Sequence, residues 1–427
     1  MKRLNYLLIL ITLISLAGCG LNSDNGELTG VLGRKKWFHN QPFGTIYVPT
    51  GTFHAGQSDQ DVPSSQLAQN RQVSIPAFYM DDTEISNNEY RQFVYHVMDS
   101  IARKILGGEY VVEDPEGGDP WIKQEKKKAI DWKDENLKEL FYQGNDRFER
   151  KVQIDIRKLK YSWMWEDLVA AAQYNQRGTK WNAGNRPDYF RTEITDIYPD
   201  TLCWIRDFTY AHNDPMTQVY FWHPKYDDYP VVGVTWNQAR AFCHWRTNYY
   251  NSFINSVLDG NTVTPFRLPT EWEFEYASRG GRDGNPYPWG GPYVRNTKGC
   301  FLANFKPGRG NYIDDGGIYT VKVNAYFPND YGLYCMSGNV AEWTQSSYAE
   351  AGQYVVSDLS PEYRTQAKEG DDDTYKRKVT RGGSWKDIAY YIQNGTRTQY
   401  EYQDSSKSYL GFRCVMSYIG RSNKDKE

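Results

Sequence analysis

Arg267-Leu-Pro-Thr-Glu-Trp-Glu-Phe-Glu-Tyr-Ala-Ser-Arg-Gly-Gly281 is the stretch on which the reading of this 427-residue chain turns. Thr270 and Glu273 stand at the spacing of a capping box, in which a hydroxyl and a carboxylate satisfy each other's backbone N–H groups at a helix start. Trp272 and Tyr276 then fall one turn apart on that helix. Upstream, Pro230-Val-Val-Gly-Val-Thr-Trp236 reads as a strand, followed by a helix with Ala239, Phe242 and Cys243 at inward spacing. Earlier still, Gly44 to Phe53 and Gln72 to Met80 alternate as strands do, so a small sheet is expected there. Ser86-Asn87-Asn88-Glu89 is a second capping box, leading into Tyr90, Phe93, Val94 and Val97 on one helical face.

Between these ordered parts the patterns weaken. Glu113 to Asp134 is charged and rich in turn residues, which marks an insertion, and Lys123 to Lys128 reads as a solvated face. Asp155 to Trp222 is crowded with tyrosine and tryptophan and shows few clean periods apart from a helix expected through Trp163 to Ala172. From Arg279 onward glycine, asparagine and aromatic residues dominate, and Asp371-Asp372-Asp373 is the most polar loop. No repeat of 20 to 50 residues is present.

The N-terminal residues read Met1-Lys2-Arg3, an apolar run from Leu7 to Leu16, then Leu16-Ala17-Gly18-Cys19. The apolar core is far shorter than the roughly 20 residues of a membrane-crossing helix, so residues 1–18 are expected to be a signal peptide. Leu-Ala-Gly-Cys resembles the bacterial lipobox, which implies acylation of Cys19 after cleavage. Residues 19–33 then form the lipidated cysteine and a polar, glycine-rich tether, which spans at most about 45 Å when extended. Residues 421–427 are a charged tail.

A net charge of −3 argues against a nucleic-acid partner, which needs a basic excess. The 35 Tyr and 14 Trp point to a loop-rich protein that packs irregular chain around large rings with wet polar tips. Besides Cys19 there are Cys203, Cys243, Cys300, Cys335 and Cys414, an odd number, so at least one thiol is unpaired or intermolecular in an oxidising compartment. His39, His54, His96, His212, His223 and His244 show no ligand-like spacing, and no nucleophile elbow, phosphate loop or metalloprotease motif appears.

Five ordered segments, Arg267 to Gly281, Tyr287-Pro-Trp-Gly290, Gly332-Leu-Tyr-Cys-Met-Ser-Gly-Asn-Val-Ala-Glu-Trp343, Arg381-Gly-Gly-Ser-Trp385 and Leu410-Gly-Phe-Arg-Cys414, together resemble the formylglycine-generating enzyme (sulfatase-modifying factor) family. A weaker likeness reaches back over Gly44 to Phe93. The resemblance implies an α+β fold related to C-type lectins, with little regular secondary structure, over residues 34–420 and interrupted by an insertion at about 110–225. The family's enzymes use two cysteines to hold copper, a soft-ligand role. Those positions are Asp387 and Ile392 here, so no catalytic residue and no catalytic cofactor are expected.

The resemblance also implies a disulfide between Cys243 and Cys414, stabilising by about 4 kcal/mol in the chain-entropy model. A second family disulfide is lost, its positions being Ser278 and Arg397. Calcium is implied at Asn304, Phe305, Asp315 and Gly317, and less well at Gly338, Val340 and Glu342, where Cys335 replaces an oxygen-bearing residue.

Tyr198-Pro-Asp-Thr-Leu-Cys-Trp-Ile-Arg-Asp-Phe-Thr-Tyr210 and Tyr220-Phe-Trp-His-Pro-Lys-Tyr-Asp-Asp-Tyr-Pro230 resemble the gliding-motility lipoprotein branch of that family. This implies a non-enzymatic ring subunit of the type IX secretion system, lipid-anchored at the periplasmic face of the outer membrane. It would associate with itself and with a GldN/PorN-type periplasmic protein, through a surface that includes Glu113 to Trp222. The alternatives are a lectin-like or calcium-dependent surface-binding protein and, more remotely, an enzyme of the formylglycine-generating type.

Overall fold

The computed structural model describes residues 40–57, 70–112, 121–122, 129–168, 189–210, 212–257, 263–308, 311, 313–314, 316–367, 370–397 and 399–420. The signal peptide, Cys19, the tether, Lys123 to Lys128, Asp315 and the tail lie outside them. Four strands come first, β1 (Thr45–Val48), β2 (Gly51–Ala55), β3 (Arg71–Ile75) and β4 (Phe78–Asp81), then helix α1 (Asn87–Leu106). β5 (Val111–Val112) and β6 (Trp121–Ile122) pair briefly, and β7 (Lys160–Glu166) pairs with β8 (Phe190–Asp196). Short helices α2 (Cys203–Asp207) and α3 (Pro215–Val219) precede the long α4 (Trp236–Val257), β9 (Phe266–Arg267) and α5 (Glu271–Arg279). β10 (Ala341–Ser347), β11 (Arg377–Arg381), β12 (Tyr400–Tyr402), β13 (Leu410–Gly411) and β14 (Val415–Ser417) complete the chain. The result is the expected α+β architecture, with long irregular connections between short elements.

Two four-stranded sheets organise it, ordered β1-β4-β14-β9 and β12-β11-β10-β13. All their pairings are antiparallel except β10 with β13. The last strand, β14, is thus inserted beside β4 from the start of the chain, with Val415 opposite Met80. α1 begins where the sequence expects, since Ser86 and Glu89 form both halves of a capping box. Its apolar face meets α4 in an aromatic core: Tyr90 stacks on Phe242 at 5.6 Å and 11°, and Phe412 closes the cluster.

Two expectations fail. Trp163 belongs to a strand, because Tyr161, Trp163 and Trp165 alternate inward while Lys160, Ser162, Met164 and Glu166 are exposed; the two-residue period overrides helical spacing. The rest of the expected helix, beyond Leu168, lies outside the described residues. Pro230 to Thr235 joins no sheet and makes only an isolated antiparallel bridge, Pro230 with Ser86. Its N–H and C=O groups pair with loops instead: Val231 N–H with Ile85 O at 2.8 Å, Gly233 N–H with Lys407 O at 3.0 Å, and Asp200 N–H with Gly233 O at 2.8 Å. Gly233, at φ 73°, bends the segment where a Cβ would meet the Asp200 carbonyl at 2.3 Å. Buried apolar residues are therefore compatible with a strand pattern without any ladder.

Candidate functional site

The loop after β11 holds the positions where the resemblance expects chemistry. Gly382 and Gly383 turn the chain at φ 85° and 66°. A Cβ on Gly383 would stand 2.7 Å from the Tyr391 carbonyl oxygen and 2.8 Å from Cγ2 of Ile392, so glycine lets the loop fold back on itself. Ser384 donates to Oδ2 of Asp387 from its backbone N–H at 2.9 Å and its hydroxyl at 2.5 Å, which commits that carboxylate to the turn. Ile392 is fully buried among Tyr287, Phe301, Ala303 and Phe305. Its carbonyl accepts from the Ser337 hydroxyl at 2.7 Å. Cu(I) is held by soft thiolates. A turn-capping carboxylate and a buried alkyl group do not fit it.

The calcium positions divide. Asn304 lies in a buried loop, donating from Nδ2 to Tyr319 O at 2.7 Å while its own carbonyl accepts from Asn339 N–H at 2.8 Å. Asn304, Phe305 and Gly317 supply amide and carbonyl oxygens of the hard type calcium takes, and Asp315 falls outside the described residues. At the second set, Glu342 is already paired. Arg413 donates from Nε and Nη2 to both its carboxylate oxygens at 2.7 Å, and both side chains are buried. Glu84, fully enclosed beside them, accepts from Asn339 Nδ2 at 2.9 Å. Burial, and then the adjacent Glu342 carboxylate, push the Glu84 pKa well above the usual carboxylate range. Glu342 thus serves as counter-ion to Arg413, which makes this the poorer cation site.

What sequence reasoning missed is the charge buried around α5. All nine of its residues are buried, including Glu271, Glu273, Glu275 and Arg279. Glu271 is bridged by Arg397 at 2.6 Å and by Arg381 at 3.2 Å; Glu275 pairs with Arg279 at 2.7 Å and Arg381 at 3.4 Å. Glu273 takes both ends of Arg267, at 2.7 and 2.6 Å. Ser278 donates to Asn394 at 2.6 Å. At the two positions where the resemblance places a lost disulfide, Ser278 and Arg397, polar contacts therefore tie α5 to the 394–397 segment. The only sequence signal was an acidic helix with arginines at distant positions.

Cys243 on α4 and Cys414 just before β14 bring their sulfur atoms to 3.4 Å in the buried core. They stand there as thiols, farther apart than the roughly 2.05 Å of a disulfide. Cys203 and Cys335 are buried separately, and Cys300 is exposed. Between α1 and α4 runs an open groove of about 430 Å³, lined by Tyr95, Trp132, Trp245, Tyr249, Gln92 and Asp99 among others. Among the described residues, no helix is long and apolar enough to cross a membrane.

The chain matches known proteins over most of its length. The family model for the sulfatase-modifying factor enzyme 1-like domain matches residues 35–418. Inactive C-alpha-formylglycine-generating enzyme 2 of Bos taurus is 30% identical over 280 residues, covering 62% of this chain and 70% of that protein. Formylglycine-generating enzyme of Bos taurus is 27% identical over 386 residues, or 88% of this chain and 76% of that one. Among solved structures, PvdO from Pseudomonas aeruginosa aligns with a TM-score of 0.46 at 15% identity, over 87% of this chain and 94% of the other. With the match running from residue 35 to residue 418, most of its length, the chain belongs to the sulfatase-modifying factor enzyme 1-like domain family.

Proposed function

We propose that this protein is a non-enzymatic member of its family, a GldK/PorK-type lipoprotein that builds a ring of the type IX secretion system. One observation carries the non-enzymatic half. The positions assigned to copper thiolates hold Asp387, spent on Ser384, and Ile392, sealed among aromatic rings. A relative named as inactive stands among its matches, beside others named as enzymes. The other half rests on the lipobox at Cys19, the tether, and the tyrosine- and tryptophan-rich insertion, whose exposed rings Phe148, Tyr210 and Trp222 offer contact surface. On this reading the chain hangs from the periplasmic face of the outer membrane, joins copies of itself and a GldN/PorN-type partner, and supports gliding where the host glides. Calcium bound through Asn304, Phe305, Asp315 and Gly317 would serve to hold a loop.

The test is a pull-down of the tagged protein from detergent-solubilised native envelopes, with the eluate sized and its partners identified by mass spectrometry. A megadalton-scale assembly with one dominant periplasmic partner supports the reading. A monomer with no partner overturns it. A second reading, a lectin-like binding protein, has the aromatic groove between α1 and α4 in its favour, since rings flanked by amide and carboxylate groups suit an amphipathic ligand. Glycan-array binding without a stable protein partner would favour it.

A further inference from the structure

Near the start of α4 an arginine lies among three tryptophans. Trp236 and Arg240 stand four positions apart on the helix, so the arginine side chain reaches back over the indole, its guanidinium 4.6 Å from the ring centre. β7 supplies two further rings from alternate positions, Trp163 at 4.7 Å and Trp165 at 5.4 Å. The three indole N–H groups donate elsewhere: Trp236 to Thr344 O at 2.8 Å, Trp163 to Thr195 Oγ1 at 3.1 Å and Trp165 to Glu193 Oε1 at 2.6 Å. The rings thus hold the guanidinium in place by cation–π attraction, without accepting its hydrogens in the plane.

The Arg240 side chain is 16% exposed, and Glu193 Oε2 stands 3.8 Å from its Nη1, near enough to share charge and too far to accept a hydrogen bond. Among the described residues no group accepts from any of its five N–H bonds. Burial pulls the Arg240 pKa down to about 10 against the attraction of Glu193, with Arg364 adding to the effect, so the charge is poorly solvated where it stands. Lys378 brings a second cation to the same indole, with Nζ 4.1 Å from the Trp236 ring centre. Arg364 acts on both and is itself paired with Glu362 at 2.7 Å. Three basic groups thus stand against two carboxylates, Glu193 and Glu362, with one positive charge in excess when Lys378 is protonated.

A fork of unused donors, held in place and still reached by solvent, suits two parallel bonds to a carboxylate. We propose that Arg240 is a binding site for a carboxylate monoanion, gripped through both ends of the guanidinium that the three indoles position. A dianion such as phosphate would meet Glu193 with more charge than one excess cation offsets. The carboxylate belongs to a free organic acid or to an acidic side chain of a bound protein, and the site reads both alike. The inference stands on Arg240 and its rings and not on the secretion reading.

The experiment is a titration of the full chain in detergent with sodium acetate at pH 7, at constant ionic strength against sodium chloride, following Tm. Wild type should show a saturable rise with half-effect at about 1–10 mM acetate, the range that two charge-assisted hydrogen bonds allow. R240Q and R240K should both weaken binding at least about tenfold, the lysine because it keeps the charge and loses the fork. E193Q should tighten binding about threefold, since it removes the competing carboxylate and leaves Trp165 an oxygen to bond; a variant that merely folds less well does not gain affinity. A wild type that responds to acetate no more than to chloride overturns the proposal. So does a response that R240Q and E193Q leave unchanged, or a stronger one to inorganic phosphate. Where acetate binds as expected, loss of the periplasmic partner from R240Q in the native-envelope pull-down assigns the carboxylate to that partner, and an intact assembly assigns it to a free acid. A failed acetate titration leaves the assembly test untouched, so the two readings fall separately.

Discussion

Replacing Lys378 with methionine should remove a large part of the pH dependence of stability between pH 7 and 9. Lys378 on β11 is fully buried, with Nζ donating to Ser347 Oγ at 3.1 Å and Thr365 O at 2.6 Å, above the face of Trp236 at 4.1 Å. Burial, and then the Arg240 and Arg364 guanidinium groups, lower its pKa from 10.5 to about 7. In the unfolded chain the amine stays protonated up to about pH 10.4. Between the two values the unfolded state binds the extra proton, so stability rises with pH. The full burden is borne below about pH 7 and is relieved as pH climbs toward the unfolded value. The shift corresponds to about 5 kcal/mol at most, and a slope of about 1.4 kcal/mol per pH unit.

Attraction to the Trp236 ring offsets about 1–2 kcal/mol of that burden by favouring the charged form. Urea titrations of wild type and K378M at pH 7 and 9 should therefore differ, with the gap between the two proteins changing by about 1–3 kcal/mol. Other groups titrate in both proteins alike and cancel in the difference. The lost hydrogen bonds to Ser347 and Thr365 shift the gap at both pH values equally, so they do not affect its change. A gap that is constant from pH 7 to 9 would show that Lys378 keeps its proton, and would refute the assignment of a neutral buried amine.

Arg397→Ala leaves Glu271 buried with a weaker partner and should cost about 3–5 kcal/mol, read as a fall in Tm by calorimetry. On the proposed export of the chain, Cys243 and Cys414 should oxidise to a disulfide; intact mass before and after reduction reads it, and reduction should lower stability by about 4 kcal/mol. Removing calcium with EDTA should lower the Tm, with Asp315→Ala abolishing the response and Glu342→Gln altering stability without abolishing it. Copper(I) titration should show no tight site at Asp387 and Ile392, and a sulfatase peptide cysteine should remain unoxidised; turnover would remove the non-enzymatic reading.

Sequence legibility followed the range of the interactions involved. Both capping boxes, Ser86 with Glu89 and Thr270 with Glu273, formed as read, because donors and acceptors three residues apart meet whatever the rest of the chain does. The early strands were equally legible from alternation. Trp163 to Glu166, expected to open a helix, was misread because aromatic residues suit either element until a partner strand selects one. Pro230 to Trp236 was misread because burial alone does not reveal where backbone groups find partners.

The sequence by itself determined the motifs of the family and the starts of α1 and α5, and it carried the expectation that Asp387 and Ile392 stand where the family's enzymes hold thiolates. Tertiary structure alone decided that the charges of α5 are buried rather than solvated, since Glu271 meets Arg397 across 126 positions. It alone brought Cys243 beside Cys414 across 171 positions, and gave both oxygens of Glu342 to Arg413 across 71. A charge or a thiol carries no mark of its partner in the local pattern; its state is set by what the fold packs against it.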